Sequence, residues 1–288
     1  MTNVTSEKSI GGRTLVNALG IPAIVFLIYL GDLPFTAFVS VVSLIAIREF
    51  YLLGANRNIY PQFIAGYAMT ILIVLHYYFG PGNPLRILRP GELLLIITVL
   101  VVFSEIFRKK ENSLSNITNT LGGIVYIPLL LGTMVGLRGI DPIDPTMGMK
   151  LTFCLFVGVW TCDSTAYFVG LNWGKNKLIE RISPKKTVEG GAAGLVAACV
   201  FFYFIYKSDV LSSQYSMAGI HKIDYIIFSI IIGIIGQSGD FAESLMKRDM
   251  GVKDTSSFLA GHGGVLDRFD SLIFSSPVMF LYLKYFVY

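Results

Sequence analysis

Long apolar segments recur along the whole chain, and they constrain its fold more than any other feature. About 20 apolar residues are enough to cross a bilayer as a helix. Nine candidate spans of roughly this length follow one another, at residues 14–31, 33–53, 61–80, 91–107, 116–137, 149–172, 189–207, 223–244 and 270–287. Backbone polar groups cannot stay unpaired in lipid, and the segments lack the short alternation of barrel strands. The sequence therefore predicts an all-α integral membrane protein, a polytopic helical bundle with about nine transmembrane helices.

The composition agrees with this class. Of the 288 residues, 53% are hydrophobic and 15% are charged, and the mean hydropathy of +0.64 is far above that of a soluble globular chain. The three cysteines lie inside apolar segments, so neither a disulfide framework nor a zinc site is expected. Residues 1–10 are polar and are expected to form a tail, because no cleavage motif follows the first apolar segment.

Basic residues are distributed unevenly between the two faces of the predicted bundle. The face with the N-terminus and the loops after the even-numbered spans carries roughly two thirds of all Lys and Arg. Because Lys and Arg concentrate in cytoplasmic loops, these loops are predicted to face the cytoplasm. The expected location is a bacterial inner (cytoplasmic) membrane, with any site in these loops open to cytosolic nucleotides.

Acidic side chains inside the spans are candidates for function. Asp163 lies in the middle of the sixth span, and Asp240 and Glu243 lie near the end of the eighth. An ionisable group in a span is costly unless it faces a wet cavity or a partner. Glu105, near the end of the fourth span, is a weaker candidate, because an ion pair with Arg108 at i,i+3 is a sufficient explanation.

A dense polar stretch, residues 244–271, precedes the ninth span. Many such charge runs are merely solvated loops. Here, however, the charges surround a Gly-His-Gly-Gly turn, and glycines let backbone N–H groups approach an anion while Lys and Arg bind phosphate and Asp can hold a cation. The stretch therefore favours chemistry on phosphate with a metal ion. Its charged residues include Lys247, Arg248, Lys253, Asp254, Asp267, Arg268 and Asp270, and its turn contains His262, Gly263 and Gly264.

One helix face leads into this stretch and collects four polar side chains at i, i+3, i+4 and i+7, namely Asp240, Glu243, Ser244 and Lys247. Asp267 and Asp270 are again three residues apart. Carboxylates from two helices suit Mg²⁺, which usually takes one or two of them and leaves its other positions to water and substrate phosphate. His262, inside the turn, is the only histidine predicted to take part.

A second polar stretch, residues 172–191, follows the sixth span. As a basic loop it could serve only topology and attraction to lipid headgroups. Alternatively, Lys185, Lys186 and Thr187 stand just before a Glu-Gly-Gly sequence that opens the next helix. The N–H groups of a helix N-terminus can bind phosphate, so this second interpretation makes the stretch part of a phosphate site.

Both stretches resemble a known family. The order Ser244-x-x-Lys247-Arg248, Lys253-Asp254, His262-Gly263-Gly264 and Asp267-Arg268-x-Asp270 is similar to the signature of the CDP-diacylglycerol synthase (phosphatidate cytidylyltransferase) family. The Asp163-Ser164-x-Ala166-Tyr167 and Pro184-Lys185-Lys186-Thr187-x-Glu189-Gly190 segments match the same family. The resemblance covers residues 160–271, so the chain is divided into an N-terminal transmembrane region, residues 1–150, and a C-terminal transmembrane catalytic region, residues 151–288.

The resemblance implies a membrane nucleotidyltransferase that converts CTP and phosphatidic acid to CDP-diacylglycerol and pyrophosphate. It assigns Asp240 and Asp267 to Mg²⁺, with Asp163, Glu243 and Asp270 supporting that ion or a second cation. It makes phosphate contacts of Lys185, Lys186, Lys247, Arg248, Lys253 and Arg268, adds Thr187, Gly263 and Gly264 to substrate binding, and includes Asp254 and His262 in the catalytic set. The expected partners are CTP, phosphatidic acid and the lipid bilayer, with a homodimer as a further expectation and no nucleic acid.

Two alternatives stay open at this point. In a cation-coupled secondary transporter, the acids within the spans would relay protons or bind the coupling ion. The crowding of charges into two loops on one side, and the absence of matching broken spans in two halves, argue against it. The nearer alternative is a CTP-dependent lipid alcohol kinase of related fold. Such a kinase would release CDP, whereas a cytidylyltransferase releases pyrophosphate.

Overall fold

A computed structural model describes residues 19–80, 83, 88–212, 219–253, 255 and 263–288. Within these ranges the chain is helical and forms no strand, and an isolated bridge joins Lys177 to Thr187. The helices are α1 (Leu19–Leu30), α2 (Asp32–Leu53), α3 (Phe63–Phe79), α4 (Pro90–Phe107), α5 (Ser113–Arg138), α6 (Pro145–Trp173), α7 (Val188–Lys207), α8 (Lys222–Asp249) and α9 (Leu266–Tyr282). The expected polar tail, residues 1–10, lies outside the described residues.

The predicted fold class is confirmed. Six of the described helices, α2 and α4 to α8, are long and apolar enough to cross a membrane, while α1 and α3 are shorter apolar helices. Each helix begins and ends within a few residues of the span predicted from hydropathy, because apolar runs bounded by polar or glycine residues define both. The number of nine crossings stays a prediction.

Two of the long helices are interrupted. In α5, the α-helical segment Ser113–Tyr126 ends before Pro128, which lacks the N–H group that a continuous helix would need at that point. In α8, a π-helical segment, Ile231–Gly236, lies between the α-helical segments Lys222–Ile230 and Gln237–Asp249. Segments of this kind often stand next to functional residues, and here the polar face of α8 follows immediately.

Alternate loops lie together at each end of the bundle, as two contacts show. At one end the Nη2 of Arg57 donates to the carbonyl of Asp249 at 2.5 Å, so the loop after α2 meets the end of α8. At the other end Tyr282 donates to the carboxylate of Asp224 at 2.5 Å, so the end of α9 meets the start of α8. This arrangement agrees with the alternation of loops that the basic residues predict.

A continuous apolar core holds the helices in place, and it includes residues from both halves of the chain, such as Phe35 and Phe156. The approach of α8 to α9 is especially close at Gly239, where a Cβ would collide with the backbone carbonyl of Asp270. Glycine is therefore required for the two helices to meet here. This contact sets Asp240 beside the first turns of α9.

The polar cluster around Glu105 is structural. Glu105 is buried and forms the expected ion pair with Arg108 at 2.7 Å. It also accepts hydrogen bonds from Asn116 at 2.7 Å and Gln62 at 2.9 Å. These partners satisfy a buried carboxylate and tie α4 to α5, and the ion pair predicted from the i,i+3 spacing is confirmed.

Candidate active site

Lys247 joins the two helices that frame the polar stretch. Its Nζ lies 2.5 Å from Oδ1 of Asp267 on α9 and 3.2 Å from Oε1 of Glu243 on its own helix. The side chain of Glu243 is 0% exposed and that of Lys247 is 13% exposed. Because neither carboxylate can rely on water, the ammonium group is their main source of compensating charge.

Asp267 is held by several donors at once. While Oδ1 receives the ammonium of Lys247, Oδ2 accepts hydrogen bonds from the backbone N–H of Gly264 at 2.6 Å and from the hydroxyl of Thr255 at 2.8 Å. Gly263 precedes this contact with a positive φ of 77°, a conformation that favours glycine. The carboxylate is therefore fixed against both the loop and α8.

The two polar stretches meet at Lys186. Its ammonium group forms an ion pair with Oδ2 of Asp240 and lies 4.2 Å from the centroid of the Phe241 ring. The side chains of Lys186 and Asp240 are 29% and 35% exposed, so this pair is open to solvent, unlike the Lys247 pairs. A basic loop that served topology alone would not need such a contact, which brings residues 54 positions apart in the sequence together.

Two further carboxyl groups, those of Asp163 and Asp270, lie near this pair. Asp163 on α6 and Asp240 on α8 are close enough for their charges to repel, and Asp270 on α9 experiences both. Acidic side chains of three helices thus converge where Lys186 enters, and a site of this kind attracts cations.

The loop between α6 and α7 has a defined structure. Thr187 caps α7, since its hydroxyl accepts from the N–H of Gly190 at 3.2 Å. The N–H of Val188 donates to Asn176 and that of Gly191 donates to Thr187. These three N–H groups are already bonded within the chain, so the phosphate role predicted for this helix N-terminus rests on the lysines, of which Lys185 is exposed.

The other predicted residues surround this centre. Arg248 donates through Nε to the carbonyl of Ile182 at 3.2 Å, which links α8 to the same loop. Lys253 and Arg268 are exposed at the surface near it. Asp254 and His262 lie outside the described residues.

The donor set suits a hard cation in its chemistry. Five carboxylates, those of Asp163, Asp240, Glu243, Asp267 and Asp270, stand against the ammonium groups of Lys186 and Lys247. Carboxylate oxygens are the ligands that Mg²⁺ prefers. In the described part of the chain, however, no three His, Cys, Asp or Glu side chains are grouped closely enough to hold a metal ion, and the lysines take the positions beside Asp240 and Asp267.

One site residue was missed by the sequence reasoning. Glu49, on α2, is buried with 1% of its surface exposed, and its Oε2 accepts the backbone N–H of Leu266 at 2.8 Å. It lies inside the second apolar span, so the test that selected Asp163 also applies to it. Glu49 brings the N-terminal half of the chain into direct contact with the start of α9.

The fold and site together define a class: a polytopic helical membrane protein with clustered carboxylates and lysines suited to phosphate chemistry. The chain belongs to the cytidylyltransferase family, whose model matches residues 11–286. A phosphatidate cytidylyltransferase of Bacillus subtilis (strain 168) is 30% identical over 281 residues, which cover 95% of this chain and 97% of that protein.

Two further relatives carry the same name. The phosphatidate cytidylyltransferase of a Synechocystis species is 27% identical and covers 94% of this chain and 95% of its own. That of Haemophilus influenzae is 41% identical over 146 residues, about half of each chain. The resemblance to this family that the two polar stretches indicated is thereby confirmed.

Proposed function

We propose that this protein is a phosphatidate cytidylyltransferase, which converts CTP and phosphatidic acid to CDP-diacylglycerol and pyrophosphate in phospholipid biosynthesis. Family membership and the names of relatives that match nearly the whole chain support this activity. The structural observation that carries the proposal is the ion pair between Lys186 and Asp240. It unites a basic loop with an acidic helix at one end of a membrane-embedded bundle, where a lipid phosphate and a nucleotide can meet.

The chemistry requires no nucleophile from the protein. A phosphatidate oxygen, already ionised at neutral pH, attacks the α-phosphorus of CTP; a new phosphorus–oxygen bond forms, the bond to the bridging oxygen breaks, and pyrophosphate leaves. The task of the chain is to align the two substrates and to neutralise charge. The proposed phosphate contacts come from the loop before α7, from α8 and the residues after it, and from α9: Lys185, Lys186, Lys247, Arg248, Lys253 and Arg268.

The proposal includes Mg²⁺, held by Asp240 and Asp267, with Asp163, Glu243 and Asp270 in support of it or of a second cation. When bound, Mg²⁺ supplies charge neutralisation to the triphosphate and the leaving pyrophosphate. The excess of carboxylates over ammonium groups supports this assignment. Removing divalent cations with a chelator is expected to abolish turnover, and adding Mg²⁺ should restore it. Full activity in the presence of excess chelator would contradict the metal assignment.

We place the protein in the bacterial inner membrane with the site facing the cytoplasm. The apolar helices and the bacterial relatives support a location in the inner membrane. The excess of Lys and Arg on the face that carries the site supports the cytoplasmic orientation of that face. We extend the proposal to a homodimer because large apolar N-terminal regions often accompany dimers of membrane enzymes. The mass of the protein in detergent, corrected for bound detergent, tests this last point.

The central experiment measures products from the purified protein in detergent micelles that contain phosphatidate, with CTP labelled in the cytidine. The expected result is label in CDP-diacylglycerol and release of one pyrophosphate for each lipid product. A lipid alcohol kinase would instead release labelled CDP, and a transporter would leave CTP intact. Either of these results, obtained with protein that is folded by its thermal transition, would overturn the proposed function.

A further inference from the structure

We infer that Glu49 is a positioning residue for Asp267, and that the N-terminal half of the chain thereby helps to form the active site. The inference rests on the proposed function and adds to it a residue outside the two charged stretches. Glu49 touches neither phosphate nor cation in this scheme. It acts by fixing the backbone from Gly264 to Leu266, where α9 begins.

The hydrogen bond to Leu266 ties Glu49 to the start of α9. The carboxylate oxygen Oε2 of Glu49 accepts this N–H at 2.8 Å, and the residue is 1% exposed. The first N–H groups of a helix have no partner within the helix, and they form its positive end. A buried carboxylate on a neighbouring helix satisfies one of them and matches its charge, so it fixes where α9 begins.

Glu49 also packs closely against Gly264. A Cβ on this residue would collide with Oε2 of Glu49 on one side and with the hydroxyl of Thr255 on the other. The N–H of Gly264, in turn, donates to Oδ2 of Asp267 at 2.6 Å. Glu49 therefore contacts the chain at Gly264 as well as at Leu266, the two residues that lead into Asp267.

Burying the carboxylate of Glu49 in α2 costs free energy. A carboxylate within an apolar span is expensive, and packing alone would be served as well by an apolar side chain. Glu49 accepts here from a backbone N–H of the polar stretch, 217 residues further along the chain. A role in aligning Asp267 accounts for the presence of an acid at this point of α2, because a small displacement of an aligned group can cost a large factor in rate.

The experiment compares three variants with the wild type in the labelled CTP assay. Glu49→Ala removes the acceptor, and kcat is expected to fall by about tenfold or more with KM for CTP changed much less. Glu49→Gln keeps an acceptor oxygen for the Leu266 N–H and is expected to recover most of the activity. Glu105→Gln is the matched control, since it changes another buried carboxylate, whose hydrogen bonds to described residues all lie in the cluster around Glu105. Its kcat for each folded molecule should match the wild type.

A second measurement does not depend on turnover. Amide hydrogen exchange in peptides that cover residues 263–272 is expected to be faster in Glu49→Ala than in the wild type, and unchanged in Glu105→Gln, because the start of α9 has lost its support. If Glu49→Ala does not fold, Gly264→Ala crowds the same contact while keeping Glu49, and it is expected to lower kcat and to speed exchange in the same peptides.

The outcomes separate this inference from the proposed function. Glu49→Ala with wild-type kcat and wild-type exchange, or Gly264→Ala with both unchanged where Glu49→Ala fails to fold, would overturn the positioning role while leaving the activity in place. A wild-type protein that makes no CDP-diacylglycerol would instead overturn the proposed function, and the exchange data would still decide whether Glu49 holds the start of α9.

Discussion

Replacing Asp240 by Asn separates a functional carboxylate from a structural one. The substitution preserves size and keeps one oxygen for hydrogen bonding, but it removes the charge that faces Lys186. Both side chains of this ion pair are about one third exposed, so screening by water limits its contribution, and pairs of this kind stabilise proteins by about 0.2–1 kcal/mol. The thermal transition should therefore shift only slightly.

Activity is expected to respond far more strongly. If Asp240 holds a cation that neutralises the triphosphate, its loss should lower turnover on the order of 10²-fold or more, as happens when one group that stabilises a transition state is removed. That factor corresponds to about 2.7 kcal/mol, several times the expected loss of stability. Lost activity in well-folded protein would thus identify a functional role.

Thermal stability and Mg²⁺-dependent turnover are to be measured on the same preparation. Asp249→Asn is the matched control, because Asp249 is an exposed acid on the same helix; both of its values should stay near the wild type. A well-folded Asp240→Asn protein with normal turnover and normal Mg²⁺ dependence would refute the metal role. Activity that fell only in proportion to the folded fraction would show that Asp240 is structural.

Three further predictions test the surrounding charges. The double substitution Lys185→Ala with Lys186→Ala should strongly weaken the use of CTP or phosphatidate in folded protein, and unchanged kinetics would make the loop a topology signal only. Lys247→Met should lower the free energy of unfolding by about 3–5 kcal/mol, because it leaves two largely buried carboxylates without their cation; a thermal transition near that of the wild type would contradict this. In a chain without native cysteines, a cysteine at Asn176 should react only from the cytoplasm and one at His221 only from outside, and reversed labelling would refute the orientation.

Much of the fold was accessible from the sequence because hydropathy and helix length share one physical cause. An apolar run must satisfy its own backbone in lipid, so its ends predict the ends of the helix. The hydropathy boundaries of α4, residues 91–107, differ from Pro90–Phe107 by one residue. The local ion pair of Glu105 with Arg108 was predictable for a similar reason, since residues three apart on a helix are neighbours.

The tertiary partners were not accessible in this way. Spacing placed Asp240 and Lys247 on one helix face, but it did not predict that Lys247 pairs with Glu243 and Asp267 while Asp240 pairs with Lys186. Periodicity defines which residues share a face, not what packs against that face. Glu49 was missed because its partner, the N–H of Leu266, lies 217 residues further along the chain, and hydropathy does not predict which helices pack together.

The π-helical segment of α8 has a consequence for how this helix can be altered. Each residue of an α-helix turns its successor by about 100°, so deleting one residue from Ile231–Gly236 would rotate the acidic face relative to the preceding segment, Lys222–Ile230. Gln237 fixes the present phase, since its Nε2 donates to the carbonyls of Gly233 at 2.6 Å and Gly191 at 3.1 Å. The number of residues in this segment, together with the side chain of Gln237, therefore sets the rotation of α8 at which Asp240 meets Lys186.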